Sequence, residues 1–477
     1  MCRRSLDQSK HWLAEGIGAS QCRPNCTLQS VRQRQQGLRT GRDYIRATPG
    51  VYSRRSPSRS AALCCGNTIL TLRVSDAVAR DSGAAIVCAR MSPPRRTSRA
   101  AKFRADELHG DTSLSRALSD ALAQSDESQP RYTNLFHTYP AALHADAARD
   151  LLALFPSAHV LDPFCGGGTV LVEARAAGRR AQGCDVSPVA VRIARARCAT
   201  PDDATLSALR SRARALAAQA RAASARGPLP EPRILRAVES WYAPHVVREL
   251  ESLRHGIAES DPVVRELLEA VLASILVKVS WRASDTKAAR EKHHRPAGTT
   301  AVLFHKRTRE LARQMVELRE AVPPGTQEAE IWLGDARDLK VRDPVDLILT
   351  SPPYPSTYDY LPMQHLRHVW LGDRPEVTRE IGSRRLFRKG AQSARGTWRR
   401  DTELWTERAA RALANGGHLV LIVGDGWIPS GVVDAAAPSV AAARRAGLEL
   451  AAGASLARPD SGGRAELREH VFAFRKP

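Results

Sequence analysis

The stretch His159-Val-Leu-Asp-Pro-Phe-Cys-Gly-Gly-Gly-Thr169 decides the fold. Val160 and Leu161 read as the end of a buried strand, Gly166–Gly168 as a tight turn, and Val170–Ala177 as a helix that stops at Gly178. Strand, turn and helix in that order form the repeating unit of parallel sheets. Glycines at the junction let a ligand approach the backbone, where a helix N-terminus offers free amides and partial positive charge. The last glycine of the dinucleotide fingerprint is replaced by Leu171, which speaks against a nicotinamide enzyme.

The unit recurs downstream. Gln182-Gly-Cys-Asp185 ends a second strand, and Pro188–Cys198 reads as a helix opened by Ser187. Further strands are expected at Ile331–Asp335, Val345–Thr350, His418–Val423, Leu448–Leu456 and His470–Phe474, with helices over Thr402–Leu413 and Val440–Ala446. The last two strands have no helix between them and are expected to pair antiparallel. The whole predicts an α/β fold with a mostly parallel, doubly wound sheet. Residues 203–320, rich in Ala, Leu and Arg, predict a helical insertion between the second and third strands.

Upstream the composition changes. Residues 1–90 carry 15 basic and 5 acidic side chains and no sustained periodicity. They are expected to be a disordered extension, or to precede a start at Met91; the alternative is a basic nucleic-acid-binding arm. Residues 91–130 are expected to be a polar linker, and order to begin near Arg131.

A second stretch carries the chemistry: Leu349-Thr-Ser-Pro-Pro-Tyr-Pro-Ser-Thr-Tyr358. It follows the apolar run Val345–Leu349, and its two prolines end the strand and stiffen the exit. Ser351, Pro352, Pro353 and Tyr354 then form a rigid corner at a strand's carboxyl end, where open α/β sheets place their ligands. A hydroxyl, backbone carbonyls without amide partners and an aromatic face suit a planar base held by its amino group. Asp185, at the next strand end after the glycine turn, can accept ribose hydroxyls, and Asp335 on the following strand can reach an adenine amino group.

Together the two stretches, Asp-Pro-Phe-x-Gly-x-Gly-Thr and then Thr-Ser-Pro-Pro-Tyr, resemble the S-adenosylmethionine-dependent amino-methyltransferases of the DNA cytosine-N4 and adenine-N6 type. The resemblance covers about residues 131–477. It implies a Rossmann-like, seven-stranded methyltransferase sheet. It also implies a donor site at Tyr139, Pro140, Asp162, Pro163, Phe164, Gly166, Gly168, Thr169, Asp185 and Asp335, and a catalytic corner at Ser351–Tyr354. His137-Thr-Tyr-Pro-Ala141 is similar to the group's segment against the methionine end of the donor, and Glu469–Pro477 to its terminal strand. Gly167 departs from the Ser or Thr common in that group. A Ser at the head of the catalytic corner is more typical of cytosine-N4 enzymes.

The implied reaction is methylation of an exocyclic amine of a nucleic-acid base, DNA favoured over RNA, with any restriction partner unknown. Alternatives are a tRNA guanine-N2 enzyme, a protein-glutamine methyltransferase, and a non-catalytic nucleic-acid-binding protein. A formal charge of +22 and a pI of about 10.3 fit a polyanionic partner. Two segments concentrate that charge: Lys278–Glu310 has nine Lys or Arg against three acids, with Trp281 among them, and Arg379–Arg400 eight against one, with Phe387 and Trp398. Both are expected to contact phosphates, with a stacking ring apiece. No apolar run reaches the ~20 residues of a membrane helix. No pair of the three cysteines after Met91 has metal-ligand spacing, so a cytoplasmic protein without a metal is expected.

Overall fold

In the computed structural model, residues 62–64, 69–71, 105–123 and 131–477 are described, except 138, 140, 141, 288 and 460–465. The chain divides into two units, residues 1–94 and 95–477. In the first, β1 (Ala62–Cys64) and β2 (Ile69–Thr71) pair antiparallel. The expectation for the rest of residues 1–90 lies outside the described residues.

The second unit opens with β3 (Ala105–Gly110), α1 (Thr112–Ala123) and α2 (Ala145–Leu154). The glycine-turn stretch follows as β4 (His159–Asp162) and α3 (Thr169–Ala176), then β5 (Arg180–Asp185) and α4 (Pro188–Cys198). The insertion is α5 (Asp203–Arg226), α6 (Pro232–Val238), α7 (Pro244–Ala258), α8 (Pro262–Val279) and α9 (Thr299–Ala321). Next come β6 (Glu330–Leu333), β7 (Val345–Thr350), α10 (Tyr360–Met363), α11 (His365–Leu371), α12 (Arg384–Lys389), α13 (Ala391–Ala412) and β8 (Leu413–Gly424). A small hairpin, β9 (Gly426–Ile428) with β10 (Gly431–Val433), leads to α14 (Ala436–Arg445), β11 (Glu449–Pro459) and β12 (Glu466–Arg475).

The main sheet has eight strands in the order β3-β11-β12-β8-β7-β4-β5-β6. β8, β7, β4, β5 and β6 run parallel; β12, β11 and β3 are antiparallel to their neighbours. The last two strands pair as expected. The count of seven is corrected to eight by β3, which lies in the segment expected to be a linker. β3 pairs with β11, and α1 returns from it to bury Leu118 and Ala121.

Side chains alternate between the sheet's two faces because a strand has period two. Val160, Leu347, Leu349, Val420 and Ile422 join the core under α1, α2 and α3. Leu161, Ile348, Leu419, Leu421 and Val423 face the other way, against α13 and α14. β4 and β7 are thus apolar on both faces, as central parallel strands must be.

The insertion has its own core of Leu, Val and Ile from α5, α7, α8 and α9, joined by Trp370 of α11. It leaves the β5–β6 pairing intact. Its two stems meet where Thr200 Oγ1 donates to Glu328 Oε1 at 2.6 Å, and the buried Arg175 donates to both residues from Nη2 at 3.1 and 2.8 Å. No helix among the described residues is long and apolar enough to cross a membrane.

Candidate active site

The chain winds outward from β4 to β5 and β6, then returns to place β7 on β4's other side. Neighbouring connections diverge at such a reversal, and a crevice opens beyond the carboxyl ends of the two strands. The two sequence stretches leave β4 and β7 at this point. They line one cleft of about 920 Å³, partly open to solvent, which holds Tyr139, Asp162, Phe164, Gly166, Asp185, Ser351 and Pro353.

The β4 side is a cradle of backbone. Gly166 and Gly168 have φ of +49° and +80°, in the left-handed region that L side chains avoid. A Cβ on Gly168 would also lie 2.9 Å from the Ala194 Cβ, so glycine here lets α3 and α4 pack closely. Over the turn lies Tyr139, whose ring would be 3.4 Å from a Cβ on Gly166. Its hydroxyl bonds Ser187, and burial, with Asp185 nearby, pushes the phenol well up, so it stays protonated. Arg197, fully buried on α4, holds the turn from behind. Its Nη1 donates to Gly167 O at 2.6 Å and its Nε to Thr133 O at 3.1 Å, and Nη2 reaches Asn134 Oδ1 and, at 3.4 Å, Thr169 Oγ1. The departure at Gly167 follows from this packing: a Cβ there would be 2.8 Å from Arg197 Nη1.

Of the four carboxylates lining the cleft, the three singled out from sequence are in different states. Asp162 Oδ1 accepts from Thr350 Oγ1 at 2.7 Å and Phe164 N at 3.1 Å, yet burial outweighs these bonds and raises its pKa to about 7. Asp185 accepts Ser187 N on Oδ1 at 2.8 Å and Gly166 N on Oδ2 at 3.0 Å; burial raises it to about 6. Each of its oxygens holds one backbone amide and keeps a lone pair for a hydroxyl. Asp335 is held in a different way. Burial acts to raise its pKa, but Arg337 donates to it through N and Nε at 2.9 and 3.0 Å on Oδ1 and through Nη2 at 2.7 Å on Oδ2, which holds the carboxyl below its usual range. Asp335 lines the cleft with both oxygens bonded to Arg337 and one lone pair left on Oδ2.

On the β7 side, Ser351 and Pro353 line the cleft, whereas Pro352 turns toward Trp398 and Trp405 beneath it. Tyr354 is packed behind the corner. Its hydroxyl donates to Glu469 Oε1 at 2.7 Å and accepts from Ser351 Oγ at 3.4 Å, and Arg458 lies over its ring at 5.3 Å. Burial, then Glu469, pushes the phenol well up, which keeps its proton in place for the carboxylate. The ring can sit this close to β8 because Gly424 has no Cβ; one would meet Tyr354 Cε2 at 2.6 Å. Gly426 likewise admits the Pro355 carbonyl, which a Cβ would meet at 1.8 Å. Ser356, at φ +57°, turns the chain away after the prolines.

Of the residues singled out from sequence, Tyr139, Asp162, Pro163, Phe164, Gly166, Thr169, Asp185, Asp335, Ser351 and Pro353 meet in the cleft. Gly168 sits just behind it, Pro352 and Tyr354 stand behind the corner, and Pro140 lies outside the described residues. Sequence reading missed Arg197, Glu469, Tyr360 and Glu380. Tyr360 and Glu380 line the cleft, and burial raises Glu380 to about 7. None has a motif spacing; Glu469 lies 115 residues from Tyr354.

The second basic segment also differs from expectation. Phe387 and Trp398 are buried in the core, so neither is a stacking ring. Trp281 is half-buried, with Arg290 and Lys292 over its ring at 5.0 and 5.5 Å. Among the described residues no three His, Cys, Asp or Glu cluster as a metal set, and Cys165, Cys184 and Cys198 are buried free thiols.

No protein-family model matches the chain, and no curated protein sequence does. Solved structures similar to it include TrmN from Thermus thermophilus, at 15% identity and a TM-score of 0.28, covering 71% of this chain and 50% of that one. The chain thus spans half of TrmN. The rRNA methyltransferase aviRa from Streptomyces viridochromogenes matches at 15% identity, 74% and 94% coverage and a TM-score of 0.29. The [4+2]-cyclase SpnF matches at 12% identity, 76% and 91% coverage and a TM-score of 0.28.

Proposed function

We propose that residues 131–477 form an S-adenosylmethionine-dependent methyltransferase acting on an exocyclic amine of a nucleic-acid base. One observation carries the reading. The glycine turn with Asp185 and the serine–proline corner open on the same cleft, at the carboxyl ends of adjacent strands.

The residues present fit the donor. The left-handed glycines, with Tyr139 over them, make a cradle that a Cβ would fill, and Asp185 keeps acceptor capacity on both oxygens for ribose hydroxyls. Bound there, S-adenosylmethionine supplies an electrophilic methyl group. The rest falls to the chain. An aryl amine is a poor nucleophile because its lone pair is delocalised into the ring. Ser351 Oγ already directs its own proton toward Tyr354, which leaves its lone pairs to accept an amine proton from the cleft. The Pro352 carbonyl, on the backbone between the two cleft-lining residues Ser351 and Pro353, would serve as a second acceptor once a base enters. Two such bonds draw density onto the amine nitrogen and fix its direction. Positioning of this kind contributes on the order of 7–11 kcal/mol, so no strong base is required. A base within a duplex would first be flipped out, at roughly a few kcal/mol.

The finer form of the proposal is DNA cytosine-N4 or adenine-N6, because Ser heads the corner; a tRNA guanine-N2 substrate is the alternative. The test incubates the protein with methyl-labelled donor and DNA, RNA or protein in parallel, followed by nucleoside analysis. Label on a base amine is expected. Label confined to protein, or no donor uptake by calorimetry, refutes the reading.

A further inference from the structure

Beside the cleft runs a larger groove, about 1640 Å³ by the same measure, between α6 of the insertion and the α10–α11 segment. The two adjoin. Leu361 lines both, and Arg385, in the groove, donates to Glu380, in the cleft, at 2.9 Å. We infer that this groove holds the single-stranded stretch of nucleic acid flanking the target base. The inference rests on the methyltransferase reading and names where its substrate lies.

The charges of the lining decide the occupant. Asp373 shares Arg192 with Glu269, at 3.1 and 2.9 Å, and Arg385 bridges Asp359 and Glu380. Arg282 donates to two carbonyls, Met363 O at 2.6 Å and Asp285 O at 3.2 Å, and the Asp285 carboxylate goes to Arg367 instead. Arg233 and Arg374 are exposed at the rim, with no ion pair among the described residues. Among the side chains lining the groove, four arginines, Arg233, Arg282, Arg374 and Arg385, stand against two acids, Glu231 and Asp373, and of the four only Arg233 and Arg374 are exposed. The floor between them is apolar and includes the half-buried Trp241. Trp241 O accepts from Trp281 N at 2.8 Å, next to Arg282 of the lining. A cationic channel with a flat ring on its floor is the arrangement that tracks a single strand: phosphates meet guanidinium groups and a base stacks. An acidic peptide would meet the cations and leave the ring unused.

The test is fluorescence anisotropy of the full-length protein with a fluorescein-labelled single-stranded 15-mer, DNA and RNA in separate arms, across a salt series. A polyglutamate peptide of equal length is the control. Arg233→Ala/Arg374→Ala is expected to raise Kd about tenfold and to flatten the slope of log K against log salt by about 1.4, at ~0.7 per phosphate contact on a single strand. Both side chains are exposed, so the fold is undisturbed; calorimetry with S-adenosylmethionine on the same variant is expected to match wild type. Whichever nucleic acid binds tighter supports the inference and identifies the substrate. An unchanged slope and Kd overturn it, and so does a peptide bound as tightly as the oligonucleotide. Failure of the wild type to take up donor sinks the methyltransferase reading instead, whatever the oligonucleotide does.

Discussion

Replacing Tyr354 by Phe isolates what the hydroxyl behind the catalytic corner does. It removes one bond to the Glu469 carboxylate at 2.7 Å and one from Ser351 at 3.4 Å, and leaves the packing on Gly424 intact. A hydrogen bond to a charged group contributes about 1.5–3 kcal/mol, and Glu469 is only half-buried, so water recovers part of it. The stability loss is therefore at the lower end, about 1–2 kcal/mol. The effect on rate is separate. Untied, the Ser351 hydroxyl samples three staggered positions, and some point its proton into the cleft, where it competes with the amine's own protons. A kcat about tenfold lower, ~1.4 kcal/mol in barrier, is expected with donor affinity unchanged. Single-turnover methyl transfer with calorimetric donor binding reads the two apart. Wild-type kcat in Tyr354→Phe, or a matching loss of donor affinity, refutes the role given to the hydroxyl.

Three further outcomes are expected. Arg197→Met strips four acceptors behind the glycine turn and leaves buried carbonyls unpaired; at ~1–3 kcal/mol for such a group, we expect a loss of about 3 kcal/mol in thermal melts and weaker donor binding. Gly426→Ala forces a Cβ to within 1.8 Å of the Pro355 carbonyl, a backbone atom that cannot swing aside; near-complete loss of methyl transfer is expected in whatever fraction folds. Glu173 is raised by burial from 4.5 to about 7, so between those values the fold holds a proton that the unfolded chain has lost, and its contribution to stability falls as pH rises. Glu173→Gln, which can still accept from Asn134, should gain on wild type by roughly 2 kcal/mol in denaturant titrations as pH goes from 5 to 8.

The readable parts of this sequence were those with strong local physics. β7 matched its apolar run to the residue, because Pro352 and Pro353 forbid continuation. α4 matched as well: the Ser187 hydroxyl caps Ala190 N at 3.3 Å and Pro188 fits the first turn. β3 was illegible because an edge strand pairs on one side only and can be polar along its length, as Ala-Asp-Glu-Leu-His-Gly is. The beginning of α13 was hidden by its arginines and by Gly396, although Ala394, Trp398 and Trp405 repeat at helical spacing and bury one face. Glu469, Arg458 and Arg197 act across the fold, and nothing local marks a residue whose partner is chosen by strand order.

The stapled stems at Thr200 and Glu328 have an evolutionary consequence. A module that leaves and rejoins the sheet at one point can be lengthened, trimmed or exchanged at little entropic expense, because closing its loop is already done by the scaffold. On the proposed reading, a donor site anchored in β4 and β5 and an acceptor groove bordered by the helices would be free to drift at separate rates, and a transplanted helical block would be expected to change the substrate without rebuilding the sheet.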